Sequence, residues 1–205
     1  MIQQLPRYGA RALSMALHPL ILPLYFLAML FTQTAFSLFP NGAKWYLGGA
    51  VILYGVVIPM VAVALLRWKG LLKDLRLHNR KERILPLLVG AVSYLVCAIV
   101  VARVSQADFL RKFVLGAACC EILCLVVSFE WKISLHLTGM GAAVALLVAL
   151  NILGLSQLFP MLIATILSAG LLASGRLYLG YHNIWQILAG FFGGFILMWV
   201  VLMWF

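Results

Sequence analysis

The segment KDLRLHNRKERILP, residues 73–86, carries basic side chains at three- and four-residue intervals. On a helix this spacing places them along one side, with leucines on another. A guanidinium group offers a planar fork of donors that matches phosphoryl oxygens, so the row could clamp a phosphate. A solvated loop that fixes membrane orientation would carry the same charges. The candidate ligands are Lys73, Arg76, Arg80 and Arg83.

A second cluster, EWKISLHLTG at residues 130–139, places Ser134 and His136 where an apolar segment begins. The start of a helix presents free backbone N–H groups and the positive end of the helix dipole, which together favour an anion. An interfacial histidine with no role is the alternative. Trp131 and Lys132 are expected to anchor the chain at the membrane interface.

The third cluster, SGRLYLGYHNIWQ at residues 174–186, holds Arg176 and His182 six residues apart, with Gln186 four residues further on. A neutral imidazole is nucleophilic near pH 7. Three clusters of basic and histidine residues in one apolar chain indicate a site more strongly than any one of them. An intramembrane serine protease that uses Ser174 is disfavoured, because no G-x-S-x-G motif is present.

The elements that must position these clusters lie in lipid. The chain of 205 residues is 65% hydrophobic and 10% charged, with a mean hydropathy of +1.11, whereas about a quarter of a soluble domain is charged. The net charge of +10 comes without a basic stripe interleaved with aromatic residues, which excludes a nucleic-acid partner. The cysteines lie inside apolar runs and are expected to be buried fillers, not zinc ligands or disulfides: Cys97, Cys119, Cys120 and Cys124.

Hydropathy predicts an all-α polytopic membrane protein, a bundle of six to seven transmembrane helices in one domain over residues 1–205. Alternation of the spans places the three clusters and the amino-terminal segment on one face. In the fourth span Glu121 is expected to be protonated or hydrogen-bonded, and Gly190 and Gly194 in the last span are expected to pack within the bundle. The candidate spans are residues 17–39, 45–66, 84–104, 113–129, 136–154, 159–173 and 184–205.

The clusters, in this order, resemble the type 2 phosphatidic acid phosphatase superfamily, the membrane lipid phosphatases with KxxxxxxRP, PSGH and SRxxxxxHxxxD segments. Arg176 and His182 match the core of the third segment, and Ser134 and His136 match the second. The first is matched in spacing by either Lys73 with Arg80 or Arg76 with Arg83. The resemblance covers about residues 67–190, so two spans in residues 1–66 would precede a phosphatase-like core at about 67–205.

The resemblance implies that His182 attacks phosphorus to give a phosphohistidine and that His136 protonates the leaving oxygen. The basic residues of the motifs and Ser134 would hold the phosphate. The substrate would be a phosphomonoester or diphosphate of a lipid of the phosphatidic acid, phosphatidylglycerophosphate or polyprenyl phosphate type. The family's chemistry needs no metal and no cofactor. Membrane lipids are the other expected partners, and the sequence does not indicate an oligomeric state.

Gln186 stands where the family has an aspartate. Its carbonyl can accept the Nδ1–H of His182 but cannot balance an imidazolium charge; loss of the equivalent carboxylate in a serine protease lowers kcat roughly 10⁴-fold. Either Glu130, Asp74 or Glu82 substitutes, or the site is slow, or it binds phosphate without cleaving it. A non-catalytic lipid-phosphate binding protein or transporter is therefore the alternative function.

The positive-inside rule bears on orientation, because eleven of the fifteen lysines and arginines fall on the face with the clusters. This predicts a cytoplasmic site. Five of the eleven are candidate ligands, and without them the ratio is six to four. Bacterial members of the family often work at the outer face of the inner membrane, so we expect an integral protein of a bacterial inner membrane, with a periplasmic site as the alternative.

Overall fold

The chain folds into α-helices joined by short loops. The computed structural model describes residues 5–71, 80–155 and 157–204, and none of these forms a strand. A π-helical turn, Leu53–Val57, interrupts the third helix, and 3-10 turns at Ala35–Leu38 and Ser105–Ala107 precede the third and the fifth. The helices are α1 (Leu5–Ala16), α2 (Leu22–Gln33), α3 (Asn41–Trp68), α4 (Arg80–Val101), α5 (Asp108–Glu130), α6 (Leu135–Ile152), α7 (Phe159–Tyr178) and α8 (Ile184–Trp204).

Six of the described helices, α3 to α8, are long and apolar enough to cross a membrane. A bilayer core offers no water to an unpaired peptide group, so an apolar chain of this kind satisfies its backbone within helices. The protein is therefore an integral membrane protein with an all-α polytopic fold, which confirms the predicted class. Each of these six helices overlaps one of the predicted spans.

The predicted first span, residues 17–39, is not one continuous helix. Its apolar part is α2, whose 12 residues extend about 18 Å at about 1.5 Å per residue, well short of a bilayer core of about 30 Å. The helix ends because Thr34 is extended, with φ −128° and ψ 179°. The Thr34 hydroxyl donates to the Leu30 carbonyl at 2.7 Å and accepts from the Phe36 N–H at 3.2 Å, which starts the 3-10 turn.

The core is built around α6, which is buried along most of its length. Its most extensive partner is α8. A Cβ atom on Gly190 would lie 2.7 Å from the Ser134 carbonyl oxygen, and one on Gly194 would overlap the Thr138 carbonyl. These glycines therefore bring the two helix backbones into direct contact, which confirms that this pair packs within the bundle.

The described residues of the three sequence clusters lie at one end of the bundle. Arg83, at the start of α4, donates to the Ile133 carbonyl just before α6, and Lys132 donates to the Tyr181 carbonyl between α7 and α8. At the other end, Tyr46 near the start of α3 donates to the Val100 carbonyl near the end of α4. We call the end that holds Arg83 the site end.

Gly194→Ala is expected to destabilise the fold by about 1–3 kcal/mol, because its methyl group would overlap the α6 backbone. Gly170→Ala is the matched control, since a Cβ atom at Gly170 has no neighbour within 4 Å. Thermal unfolding in detergent measures both. We expect a Tm several degrees lower for Gly194→Ala and little change for Gly170→Ala; equal Tm values would contradict the packing described here.

Candidate functional site

The turn between α7 and α8 places Arg176 beside Tyr181. The N–H of Tyr181 donates to the Arg176 carbonyl at 3.1 Å, and that of Gly180 donates to the Leu177 carbonyl at 2.9 Å. This is the Schellman pattern that ends a helix, and it requires the left-handed conformation that Gly180 adopts at φ +65°. The guanidinium of Arg176 consequently lies 4.9 Å from the centre of the Tyr181 ring.

Gln186 has two partners that together set the tautomer of His182. The Gln186 N–H donates to Asn183 Oδ1 at 2.9 Å, and the Asn183 N–H donates to Gln186 Oε1 at 3.3 Å, a reciprocal capping box at the start of α8. A backbone N–H needs an acceptor, so the amide oxygen faces this side. The same oxygen lies 3.0 Å from His182 Nδ1. His182 therefore carries its proton on Nδ1 and its lone pair on Nε2.

Ser134 and His136 lie beside this loop, at the start of α6. The N–H of Ser134 donates to the Gln186 backbone carbonyl at 3.3 Å. The Ser134 side chain is fully buried, yet its Oγ has no hydrogen-bond partner within the described residues. Nε2 of His136 lies 3.0 Å from the Ser14 carbonyl, an arrangement in which Nε2–H donates. His18 packs edge-on against the His136 ring, with centroids 5.3 Å apart.

The clusters converge on one cavity of about 680 Å³, a size typical of a small-molecule site. Its polar wall is at the site end, and its apolar wall runs inward between α2, α3 and α4. The polar wall contains Arg11, His18, Arg83, Lys132, His136, Arg176 and His182. The apolar wall includes Leu22, Phe26, Pro59, Met60, Val63 and Leu87.

The electrostatics of the polar wall are dominated by positive charge. Burial and the neighbouring Arg176 lower the pKa of His182 to about 3, against the weaker opposing effect of its bond to Gln186. Burial and the same arginine lower the pKa of His18. Burial, Arg83 and Arg176 lower the pKa of Lys132. His182 is thus neutral near pH 7 in a strongly cationic environment.

Most, but not all, of the predicted site residues meet at this cavity. Arg83, His136, Arg176 and His182 line it, and Gln186 and Ser134 contact the lining loop. Arg80 begins α4. The remaining candidate ligands, Lys73 and Arg76, lie outside the described residues, as does Asp74, one of the proposed substitute acids.

The other acids proposed to replace the aspartate do not line the cavity. Neither Glu82 nor Glu130 belongs to its wall, and the position next to His182 Nδ1 is occupied by Gln186. Ser174, the nucleophile of the disfavoured protease hypothesis, is exposed on α7 and donates to the Gly170 carbonyl at 3.0 Å. Gln186 is therefore the group that orients His182.

Sequence reasoning missed four residues of the polar wall. Lys132, which was expected only to anchor the chain, lies in the loop between α5 and α6, and its ammonium donates to the Tyr181 carbonyl at 2.9 Å. Arg11, Ser14 and His18 come from α1 and the turn after it, a segment that was expected on the same face as the clusters but was not assigned to the site. The available signal was the histidine in His18-Pro19, placed directly before an apolar run.

Within the ranges described, no group of three or more His, Cys, Asp or Glu side chains is placed to hold a metal ion. By its fold, the protein belongs to the class of polytopic membrane proteins, and it has a cavity whose wall is cationic at one end. Comparison of the chain with protein-family models, curated proteins and solved structures gives no match in any of the three. What the cavity does must therefore be inferred from its own residues.

Acid is expected to destabilise the fold partly through His182. Its pKa is about 3 in the folded protein and about 6.5 when unfolded, so between these values the unfolded chain binds more protons and stability falls as the pH is lowered. His182→Gln removes this contribution. The Tm of the variant, measured in detergent from pH 7 to pH 4, should fall less than that of the unaltered protein. Parallel curves would contradict the buried neutral imidazole.

Proposed function

We propose that the protein is a membrane lipid phosphatase that cleaves the phosphate from a lipid phosphomonoester or diphosphate through His182. One observation carries this proposal. Arg83, Lys132 and Arg176 surround an oriented, neutral histidine at the end of an apolar cavity in a membrane-spanning bundle. A cavity that is cationic at one end and mainly apolar beyond it is complementary to an amphiphile with an anionic headgroup.

The cationic end has hydrogen-bonding capacity left over for a ligand. Arg176 Nε and Ser134 Oγ are buried and have no partner among the described residues. Leaving a buried donor unpaired costs roughly 1–3 kcal/mol. A phosphoryl group offers oxygens to both and carries a charge opposite to that of Arg83, Lys132 and Arg176. Guanidinium–phosphate pairs in a dry site are also among the stronger polar contacts in proteins.

The chemistry follows from the tautomer of His182. Its Nε2 lone pair forms a bond to phosphorus while the bond from phosphorus to the lipid oxygen breaks. His136, protonated in the complex with the anion, gives its proton to the leaving oxygen. Water then attacks the phosphohistidine, its proton passes to His136, and the P–N bond electrons return to Nε2. Arg83, Lys132 and Arg176 stabilise the charge on the transferring phosphoryl group.

The lipid chain fits the apolar wall. The sides of this wall are formed by Leu22 and Phe26 of α2, Pro59 and Val63 of α3, and Leu87 of α4. A hydrocarbon chain that enters the cavity would therefore replace its contacts with lipid by contacts with apolar side chains. Because headgroup and chain occupy different ends of one cavity, the substrate would be anchored by its phosphate and aligned by its chain. Alignment of this kind contributes to rate by holding reacting atoms at attack distance.

Purified protein is expected to release phosphate from dioleoyl phosphatidic acid or undecaprenyl diphosphate in detergent, with a chelator present. Arg176→Ala should lower kcat about 10²- to 10³-fold, as loss of a single charge-stabilising donor does. His182→Ala should abolish release. Ser174→Ala, on the exposed side of α7, is the matched control and should be unchanged.

The stability in acid of a phosphoryl group bound to the protein distinguishes a route through phosphohistidine from routes without this intermediate. A brief reaction with ³²P-labelled lipid should leave an acid-labile, base-stable phosphoryl group on the unaltered protein and none on His182→Ala. Release that persists in both His182→Ala and His136→Ala would refute the mechanism. Tight binding of lipid phosphate without turnover would instead favour the second candidate, a lipid-phosphate carrier, to which the uncharged Gln186 lends support.

Gln186→Glu is expected to raise kcat, because a carboxylate of equal length can accept from both Asn183 N–H and His182 Nδ1–H and also stabilise the imidazolium. Gln186→Met, which keeps the length but removes the acceptor, is the matched control and should lower kcat. The two kcat values for phosphatidic acid, measured beside that of the unaltered protein, check this. A Glu variant no faster than the Met variant would contradict the orienting role.

A further inference from the structure

The cavity contains a carboxyl group that the proposed chemistry does not use. Glu121 lies on α5 and lines the wall well inside the membrane-spanning region. From the sequence, Glu121 was expected to be protonated or hydrogen-bonded in a structural role, but it has no hydrogen bond or ion pair to any described residue. Its carboxyl packs against Gly90 of α4, where a Cβ atom would lie 3.3 Å from Cδ. An unpaired polar group at this depth is costly.

The donors nearest to Glu121 are directed elsewhere. The Tyr94 hydroxyl donates to the Gly55 carbonyl at 3.2 Å, and the Cys120 thiol contacts the Gly194 carbonyl at 3.8 Å. The Cys124 thiol contacts Thr138 Oγ1 at 3.5 Å. The side chain of Glu121 therefore has its acceptors available, and the part of it that protein does not cover faces the cavity.

The depth of Glu121 can be read along α4. Gly90, which contacts its carboxyl, follows Arg83 by seven residues, or about 10 Å of helix. Beyond this level the wall is mainly apolar, with Phe113, Ala117 and Met198, and the hydroxyl of Tyr94 there is bonded to the Gly55 carbonyl. A chain that extends inward from a phosphate at Arg83 would thus meet the Glu121 carboxyl about 10 Å along the cavity, as a carboxyl group with no described partner in a mainly apolar wall.

We propose that Glu121 selects lipid phosphates whose chain carries a hydrogen-bond donor, a hydroxyl or an amide N–H, about 10 Å from the phosphorus atom. A 3-hydroxyacyl chain on a glycerol phosphate places its hydroxyl at about this distance. This inference rests on the proposed function, because the phosphate site supplies the reference point. Gly90 contributes by leaving room for the carboxyl, which a larger residue would push into the cavity.

The test compares two substrates that differ only in the donor: dimyristoyl phosphatidic acid and its bis-(3-hydroxymyristoyl) analogue. The unaltered protein should show a kcat/KM about tenfold higher for the hydroxylated lipid, which is what one satisfied buried hydrogen bond gives. Ceramide 1-phosphate, whose donors lie only a few bonds from phosphorus, should gain no such preference from Glu121.

Three variants assign the preference to its residue. Glu121→Leu should bring the two kcat/KM values within about twofold of each other. We expect a lower kcat/KM for the hydroxylated lipid and a higher kcat/KM for dimyristoyl phosphatidic acid. Glu121→Gln keeps one carbonyl acceptor and should retain part of the preference. Val126→Leu, on the exposed side of the same helix, is the matched control and should retain all of it. Each variant is first checked by its Tm.

Failure of this inference and failure of the proposed function give different results. Equal kcat/KM values for the two lipids in the unaltered protein, or an unchanged preference in Glu121→Leu, would overturn the role of Glu121 while phosphate release stands. If neither lipid is hydrolysed, the phosphatase proposal fails, and competitive binding of the same two lipids, followed by native mass spectrometry, decides. In this binding assay, a preference of the unaltered protein for the hydroxylated lipid that is lost in Glu121→Leu supports the inference. Equal binding of the two lipids by the unaltered protein overturns it.

Discussion

The backbone contact between α6 and α8 is the constraint on which the site depends. Gly190 lies against the Ser134 carbonyl and Gly194 against that of Thr138, so the two helices meet without intervening side chains. Packing this close fixes the start of α8 against the start of α6, and hence Gln186 against Ser134. His136, at the start of α6, and Gln186, which bonds to His182 from the start of α8, are therefore positioned by this contact, and the loop between α7 and α8 places His182 beside them.

A second consequence of this packing concerns charge. Arg83 is 4% exposed and Lys132 and Arg176 are partly buried, and each is close enough to the others to influence ionisation, as the lowered pKa of Lys132 reflects. Gathering like charges where water is scarce is unfavourable for the protein alone. The proposed lipid phosphate would offset this repulsion by placing a negative charge among the three side chains.

Hydropathy was sufficient to predict α3 to α8, because each is a long apolar run between polar breaks. The prediction of one continuous first span was wrong because the helix ends at Thr34. A hydropathy scale does not detect the extended backbone of this residue or the hydrogen bonds of its hydroxyl. Arg176 and His182 could be paired from their spacing. The geometry of these two side chains could not be predicted. The Asn183-x-x-Gln186 pattern of a capping box, which orients the glutamine, can nevertheless be recognised in the sequence.

The contribution of the chain's beginning was beyond sequence reasoning for a different reason. The Ser14 carbonyl contacts His136, which is 122 positions away in the sequence. Because every residue has a main-chain carbonyl, the residue type gives no indication of such a contact. Lys132 was likewise expected only to anchor the chain, because its contact with the Tyr181 carbonyl depends on how α7 and α8 are joined. What stays a prediction is the chemistry itself, together with the part played by Lys73 and Arg76.

The same arrangement has a consequence for biosynthesis. Translation delivers α1 first and α8 last, yet Ser14 contacts the start of α6 and Gln186 contacts both His182 and Ser134. Before α8 is in place, the Arg83–Ile133 and Lys132–Tyr181 contacts can form, whereas the bond that orients His182 cannot. The attack proposed for His182 would then require that α8 has docked, because Gln186, which orients the imidazole, belongs to that helix.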